Sequence, residues 1–346
     1  MKNLIDKLEK EHILAQSEFE YLINNRDAET DEYLFQKSSA LSRKMFGNKI
    51  YTRGLIEISN YCKNDCYYCG IRKSNACCER YRLTKEQILF CCKTGYELGF
   101  KTFVLQGGED GFFNDDRLCD IVSDIRKQYQ DCAITLSVGE RSYESYKRLF
   151  DAGANRYLLR HETASEEHYA KLHPESLSLK NRKQCLHNLK EIGYQVGCGF
   201  MVGSPYQTAQ NLALDMLFIH GLQPHMVGIG PFIPHKDTPF ANEKPGSLEL
   251  TLFMLALLRL MLPKVLLPAT TALGTIAENG REKGILAGAN VVMPNLSPKN
   301  VRSKYELYNN KISTGEEAAE SRHLLEQRMK KIGYELSTDI GNYEGF

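Results

Sequence analysis

The chain has 346 residues, a length within the range of a single α/β barrel and too long for a minimal domain. Hydrophobic residues make up 42% and charged residues 25%, so we expect a sizeable core inside a solvated surface. The formal net charge of +1 argues against nucleic acid or an acidic membrane as partner, because proteins that bind either one usually carry a basic excess.

The apolar segments predict a protein of the cytoplasm. The N-terminus alternates charged and apolar residues and lacks the uninterrupted apolar core of a signal peptide. The most apolar run, residues 248–263, contains Glu249 and Arg259 and is too short to span a bilayer, so it predicts a packed helix. In a reducing compartment the 11 cysteines are expected to bind metal or to be buried rather than to form disulfides.

The predicted elements alternate between strand and helix after a helical start. Apolar residues recur at three- and four-residue spacing through the first fifty residues, which predicts helices. Eight short β-rich runs follow, and most gaps between them have the length and pattern of an amphipathic helix. These runs are residues 54–59, 101–107, 132–138, 156–161, 195–202, 225–230, 265–271 and 289–294.

This alternation predicts an α/β fold with a parallel sheet, and the count of eight favours closure into a (β/α)8 TIM barrel. An open doubly wound sheet is the main alternative. We expect a helical extension over residues 1–50, the barrel over residues 51–310 and a C-terminal helical tail over residues 311–346.

The segment "CKNDCYYC", directly after the first strand, places three cysteines in a C-x3-C-x2-C pattern: Cys62, Cys66 and Cys69. In a parallel barrel this position belongs to the active face. A structural zinc ion needs four protein ligands, whereas three thiolates on a four-iron cluster leave one iron open to a ligand. We interpret the segment as such a cluster site. The alternative is a zinc site completed downstream by Cys77 or Cys78.

Polar groups recur where the other strands end. In "LQGGED" two glycines allow a ligand close to the backbone, and Glu109 and Asp110 can accept from an ammonium group, although an ordinary glycine turn reads the same way. In "RYLLRHETA" Arg160 and Glu162 share one face and either pair with each other or bind a polar ligand. Further strand-end residues, which together suggest a polar-lined cavity, are Thr135, Ser137, Met201, Thr270, Thr271, Met293 and Asn295.

The segment after the sixth strand, residues 228–246, contains four prolines and predicts a rigid loop over the active face. We interpret His235 within it as an ordinary surface histidine. The cysteines in predicted helices and strands are expected to be inert, buried side chains.

The cysteine spacing, with the aromatic Tyr68 before the last cysteine, resembles the signature of radical S-adenosylmethionine (SAM) enzymes. The segments "VLQGGED", "LSVGE", "RYLLRHETA", "MVGIGPFIPHKDTPFANEKPG", "PATTALGT" and "ANVVMPNLSP" narrow the resemblance to the HydE family, the radical SAM maturases of FeFe-hydrogenase, over residues 50–310. Biotin synthase and methylornithine synthase are similar in architecture and are the alternatives.

The resemblance implies a barrel with the cluster and SAM at its top and a small substrate below them. Cys62, Cys66 and Cys69 would hold one [4Fe–4S] cluster. The residues implied at the SAM site are Tyr68, Gly107, Gly108, Glu109, Ser137, Glu162, Arg182 and Met201. Those implied at the substrate cavity are Thr135, Arg160, Thr270, Thr271, Met293 and Tyr305.

The resemblance also implies the partners. The substrate would be an iron–carbonyl–cyanide cysteine complex from the tyrosine-cleaving maturase, and the electron would come from a low-potential donor. Some family members bind a second cluster near the C-terminus, but this chain has Ser313 and Ser321 in that stretch, so we expect a single cluster. Two other classes remain open: a non-catalytic iron–sulfur carrier and a zinc-stabilised barrel with unrelated chemistry.

Overall fold

The computed structural model describes residues 1–312 and 319–344. Its helices are α1 (Lys2–Glu11), α2 (Gln16–Asn25), α3 (Ala28–Phe46), α4 (Lys85–Glu97), α5 (Asp115–Gln128), α6 (Tyr143–Asp151), α7 (Glu166–Leu172), α8 (Leu179–Ile192), α9 (Ala209–Leu222), α10 (Leu248–Met261), α11 (Thr271–Ile276), α12 (Gly280–Leu286), α13 (Lys299–Arg302) and α14 (Arg322–Lys331). Its strands are β1 (Lys49–Thr52), β2 (Gly54–Ser59), β3 (Thr102–Gly107), β4 (Ala133–Ser137), β5 (Arg156–Leu158), β6 (Gln195–Cys198), β7 (Met201–Val202), β8 (Met226–Val227), β9 (Gly230–Pro231), β10 (Val291–Val292) and β11 (Glu335–Ser337).

Local signals in the sequence explain where the helices around the barrel begin and end. The Thr84 hydroxyl accepts from the Gln87 amide and the Gln87 side chain accepts from the Thr84 amide, a capping box that begins α4. Helix α8 ends at Gly193, which has a left-handed φ of 106°. These caps fix the length of each crossover helix and return the chain to the sheet.

A six-stranded parallel sheet forms most of the barrel, in the order β2, β3, β4, β5, β6 and β8. The seventh predicted run continues it through single parallel bridges, from Leu266 to Met226 of β8 and from Pro268 to Val291 of β10. Strand β10 pairs in parallel with β1, which leads into β2. The predicted (β/α)8 barrel is therefore confirmed.

The seventh run differs from the others because it forms no regular strand. Pro268 has no amide hydrogen to donate, so the run pairs through isolated bridges instead of a ladder. Its position is fixed from outside by the Arg259 side chain of α10, which donates to the carbonyl oxygens of Val265 and Pro263.

The N-terminal helices pack outside the barrel, and the C-terminal segment covers its lower end. Helix α2 contacts α9, whereas α1 and α3 contact α10. The predicted helical tail contains α14 but also strand β11, which pairs in parallel with β1 and was not anticipated. In the described part of the chain, no helix combines the length and apolar character needed to cross a membrane.

Candidate functional site

The loop between β2 and α4 carries the three cysteines and is held by two polar side chains. Asn60 accepts from the Tyr81 amide and donates to the carbonyl oxygens of Glu79 and Lys304. Arg80 donates to four carbonyl oxygens along the loop. Those carbonyls belong to Asn60, Ile71, Arg72 and Asn75. The loop is thus ordered by its own polar contacts at the carboxyl end of the first barrel strand.

Cys62, Cys66 and Cys69 are half-buried free thiols that influence one another. Burial raises the pKa of the Cys66 thiol to about 12, with a further rise from the charge of Cys62, and it raises that of Cys69 in the same way. Among the described residues, no three His, Cys, Asp or Glu side chains are grouped tightly enough to hold a single metal ion. A polynuclear cluster places each thiolate on a different iron, so the donor set fits it better than a zinc site.

Gly108 joins the end of β3 to the cysteine loop. Its amide donates to the Ser59 carbonyl at 3.2 Å. A Cβ at this position would overlap the Tyr61 carbonyl oxygen and lie 2.8 Å from the Cys62 Cβ, so only glycine fits. The next residue is fixed as well, because the Glu109 carbonyl accepts from the Lys63 amide at 3.0 Å.

The Glu109 carboxylate therefore lies beside the cysteine loop in a cradle of donors. It accepts from the Glu140 amide at 3.0 Å and forms ion pairs with Lys63 at 3.2 Å and Arg182 at 3.8 Å. Arg182 also pairs with the Glu140 carboxylate at 2.6 Å. Burial alone would lower the pKa of Arg182, but Glu140, Tyr169 and Glu109 outweigh it and raise the pKa.

Tyr68 is anchored by a histidine that no motif in the sequence indicated. Its hydroxyl donates to His173 Nε2 at 3.1 Å, while His173 Nδ1 donates to the Tyr169 carbonyl oxygen at 3.1 Å. The His173 ring also stacks on Tyr169 with ring centroids 3.9 Å apart. Burial lowers the pKa of His173 to about 3, so this ring is neutral at ordinary pH.

At the end of β5 the predicted pair is present: Arg160 and Glu162 form an ion pair at 3.1 Å. Glu162 has a φ of 65°, in the left-handed region that a non-glycine residue enters at a cost of about 1–3 kcal/mol. Its amide donates to the Gly199 carbonyl at 3.0 Å, which holds this conformation. Strain of this kind at a strand end is typical of functional sites.

The other predicted residues fall into three environments. Ser137 ends β4, and Met201 packs with Leu172, Phe232 and the Tyr68 ring. Met293 packs against an apolar cluster inside the barrel.

The hydroxyls of Thr135 and Thr270 are buried and make no hydrogen bond within the described chain, whereas Thr271 begins α11. Two unused buried hydroxyls in one barrel fit a cavity that receives a polar ligand.

Tyr305 belongs to a buried polar group that the sequence did not predict. Lys311 pairs with the fully buried Glu57 of β2 at 2.5 Å and donates to the Tyr305 carbonyl at 2.9 Å. Asn295 donates to the same Glu57 carboxylate at 2.9 Å, and Gln106 donates to the Tyr305 hydroxyl at 3.4 Å. The C-terminal segment thus reaches into the barrel through Tyr305 and Lys311.

A small chamber deeper in the barrel is lined by Thr135 together with Arg53 and Arg156. Neither arginine contacts a carboxylate in the parts of the chain that the structure describes. Burial lowers the pKa of Arg53 to about 10 and lowers that of Arg156 as well. The two guanidinium groups that line the chamber make the floor of the barrel suited to an anionic group.

The interpretation of His235 as a surface histidine is wrong. Its side chain is only 4% exposed and lies between Gly70 of the cysteine loop and Glu306, at 3.9 Å from that carboxylate. A Cβ on Gly70 would overlap the His235 ring. The proline-containing segment thus packs directly on the cysteine loop, which brings His235 inside.

Of the two serines in the C-terminal stretch, Ser313 lies outside the described residues and Ser321 ends a short 3-10 helix.

Comparison with known proteins identifies the family. Residues 56–219, from β2 to α9 and including the cysteine loop, match the Radical SAM superfamily. Over 340 residues the chain is 43% identical to the [FeFe] hydrogenase maturase subunit HydE of Thermotoga maritima, covering 98% of this chain and 97% of the relative. The chain belongs to the HydE family of radical SAM proteins.

Membership in the HydE family is consistent with two further similarities. The 3-methylornithine synthase of Methanosarcina acetivorans is 30% identical over 284 residues, which cover 81% of this chain and 79% of the relative. The crystal structure of methylornithine synthase (PylB) superposes with a TM-score of 0.85 at 27% identity, covering 96% of this chain and 97% of that one. The chain is thus a radical SAM enzyme, and a [4Fe–4S] cluster and SAM are its cofactors.

Proposed function

We propose that this enzyme matures FeFe-hydrogenase by cleaving SAM reductively and using the adenosyl radical to assemble the di-iron subcluster. The observation that carries the proposal is the convergence of the three cysteines, Glu109 and Arg182 at one end of the barrel, in a chain that matches a HydE maturase along nearly its whole length. One electron supplied through the bound cluster would split the sulfonium of SAM into methionine and a 5′-deoxyadenosyl radical.

The residues around the cysteine loop would bind and orient SAM. Glu109 would accept from its ammonium group, and Gly107 and Gly108 would let the backbone approach it closely. The Arg182 guanidinium forms ion pairs with Glu109 and Glu140 and holds both carboxylates in place. The remaining residues assigned to this site are Tyr68, Ser137, Glu162 and Met201, and His173 would fix Tyr68.

We assign the substrate to the cavity below SAM. An iron–carbonyl–cyanide cysteine complex from the partner maturase is anionic and rich in acceptors, and the barrel offers it Arg160, two unused hydroxyls on Thr135 and Thr270, and the floor lined by two guanidinium groups. The radical would react at the cysteine sulfur. Thr271, Met293 and Tyr305 complete the assigned lining.

A second candidate is a methylornithine-synthase-like reaction on an amino acid. The structural match to methylornithine synthase and the buried Glu57–Lys311 pair favour it, since a carboxylate and an ammonium group would suit a zwitterion. Incubation of the enzyme with free amino acids and, separately, with the iron complex, followed by analysis for 3-methylornithine and for iron-containing products, separates these two reactions.

We also propose one cluster per chain and three structural parts. The sequence contains no cysteine after Cys198, so a second cluster would lack ligands of this type in the C-terminal third. We assign residues 1–50 to a helical extension, residues 51–310 to the catalytic barrel and residues 311–346 to a tail.

Anaerobic reconstitution tests the cluster and the radical step together. The wild-type protein should bind about four irons and, with dithionite and SAM, release 5′-deoxyadenosine. Cys66→Ser should lose both, whereas Cys77→Ser, in the same loop but exposed, should keep both. Retained turnover in Cys66→Ser would contradict the proposal. One zinc and no iron would favour a zinc-stabilised barrel, and a cluster without 5′-deoxyadenosine would favour an iron–sulfur carrier.

A further inference from the structure

Five side chains form a row on the surface beside the cysteine loop, which we call the arginine–aromatic row. In spatial order they are Arg80, Tyr61, Arg82, Phe112 and Arg117. The Arg82 guanidinium lies 3.8 Å from the Tyr61 ring centroid and 4.9 Å from that of Phe112. The Arg117 guanidinium lies 4.0 Å from the Phe112 centroid, and Arg80 lies 6.0 Å from the Tyr61 ring. Cations and rings therefore alternate along the surface.

The row leaves apolar area open to solvent. Tyr61 is 36% exposed and Phe112 is 39% exposed, even with arginines stacked on them. Tyrosine, phenylalanine and arginine are enriched in protein–protein interfaces, and tyrosine and arginine are frequent among the residues that contribute most binding energy. Stacking within the chain alone does not explain why both rings stay on the surface.

The charge of the row is positive. Arg117 donates to the Phe112 carbonyl and Arg80 to loop carbonyls, and neither contacts a carboxylate among residues 1–312 and 319–344. Arg82 pairs with Asp110, which is buried behind the row. The nearby acidic residues at the start of α5 are already paired. These pairs are Asp115 with Arg141 and Asp116 with Arg148.

We propose that the arginine–aromatic row is the docking surface for a small acidic protein that carries one electron at low potential, of the iron–sulfur ferredoxin class. This inference rests on the proposed function, which requires such an electron. Tyr61 directly precedes the cluster ligand Cys62, so a partner seated on the row stands next to the site that must be reduced.

The electron balance of the encounter is simple. The reduced ferredoxin would lose one electron, and a [4Fe–4S] cluster held by Cys62, Cys66 and Cys69 would gain it. No atom is transferred and no further reductant is needed. Acidic groups of the partner approach Arg82 and Arg117, which raises the association rate at low salt.

The test uses the reconstituted holoenzyme and a recombinant, acidic two-cluster bacterial ferredoxin. The variants are Arg117→Glu and Phe112→Ala, and the control is Lys10→Glu, the same charge change on exposed α1, which packs against α3 and α10. Calorimetry gives the Kd for ferredoxin at 0.05 M and 0.3 M salt. Stopped-flow spectroscopy gives the rate of cluster reduction by reduced ferredoxin and, separately, by dithionite.

We expect Arg117→Glu to weaken ferredoxin binding and slow ferredoxin-driven reduction about tenfold at low salt, with a smaller effect at high salt. Phe112→Ala should weaken binding at both salt concentrations, and Lys10→Glu should behave as wild type. Dithionite should reduce all four proteins equally. Wild-type affinity in both row variants, no binding of ferredoxin by the wild type, or equal slowing with dithionite would overturn the docking proposal. If the wild type forms no 5′-deoxyadenosine from SAM with dithionite as the reductant, that result would instead contradict the proposed function.

Discussion

Glu109 is held by residues from four separate parts of the chain, and only one of them is near it in sequence. The Gly107–Gly108–Glu109 run is readable as a ligand-binding turn because its residue types follow directly after a strand. Lys63, Glu140 and Arg182 reach the same carboxylate through the fold. The sequence therefore indicated the carboxylate, whereas its charge environment depends on side chains up to 73 residues away.

Gly139 tests whether this arrangement controls SAM binding. Its φ is 82°, and a Cβ there would overlap the Glu109 side chain. We expect Gly139→Ala in the reconstituted enzyme to displace Glu109 and to weaken SAM binding about tenfold or more, since a charged hydrogen bond contributes roughly 1.5–3 kcal/mol. Equilibrium dialysis with labelled SAM measures the affinity.

The matched control is Gly333→Ala. Gly333 has a nearly identical φ of 79°, but the nearest atom to a Cβ there is the Arg43 guanidinium at 3.5 Å. Gly333→Ala should therefore lose only about 1–2 kcal/mol of stability, the cost of a non-glycine residue in the left-handed region. It should bind SAM as the wild type does. Equal SAM affinity in the two variants would show that the contact with Glu109 is unimportant.

At the scale of the elements, α10 is the packed helix that its apolar sequence predicts. It also holds neighbouring segments through a buried arginine, which the sequence does not predict. The apolar run forms a packed helix in which 12 of 14 residues are buried. Arg259, whose charge argues against a membrane span, is fully buried inside it. Its guanidinium also donates to the Gly288 carbonyl and the Asn290 side chain. One helix thus holds the irregular seventh run and the approach to β10.

Replacement of Arg259 should weaken this closure. Arg259→Met removes a donor from three carbonyl oxygens, of which only that of Gly288 keeps a hydrogen bond in the described part of the chain, from the Ser42 hydroxyl at 3.4 Å. We expect a loss of about 2–4 kcal/mol in the free energy of unfolding. Arg322→Met is the control, because Arg322 donates to a single carbonyl, that of Leu98, from a half-buried position. Urea unfolding of both variants measures the difference. If the two losses are equal, Arg259 does not hold the seventh run.

At the scale of the whole molecule, the chain closes its own barrel from below with residues 338–344. The Ile340 carbonyl accepts from Thr102 and Arg156, and the Asn342 side chain accepts from Arg156 and Gln195. These hydrogen bonds give Arg156 its partners at the floor of the cavity. Without the segment, the floor would be open to water at the lower end of the barrel.

Truncation after Ser337 should therefore open the floor. Arg156 loses its contacts to Ile340 and Asn342, so we expect a lower melting temperature and faster hydrogen exchange in β5 and β6, which pair beside it. Glu344→Ala, which removes only an exposed ion pair with Lys264, serves as the control and should leave exchange unchanged. Wild-type protection of β5 and β6 in the long truncation would show that the segment does not seal the barrel.

The sequence by itself determined the alternation of eight strand-like runs with helices, the packed character of α10 and the location of the cysteine loop. Each of these is a local pattern, in which residue type and spacing within a few positions decide the structure. The resemblance to radical SAM enzymes depended on such local motifs as well.

Only the tertiary structure decided the buried position of His235, the pairing of β11 with β1, and the Glu57–Lys311 ion pair within the barrel. Glu57 lies in a β-rich run and Lys311 in a polar tail, 254 positions apart. No local pattern joins them, because a buried charge acquires its partner from whichever segment the closed barrel brings next to it. The same reason explains why His173 and Arg80 were not anticipated.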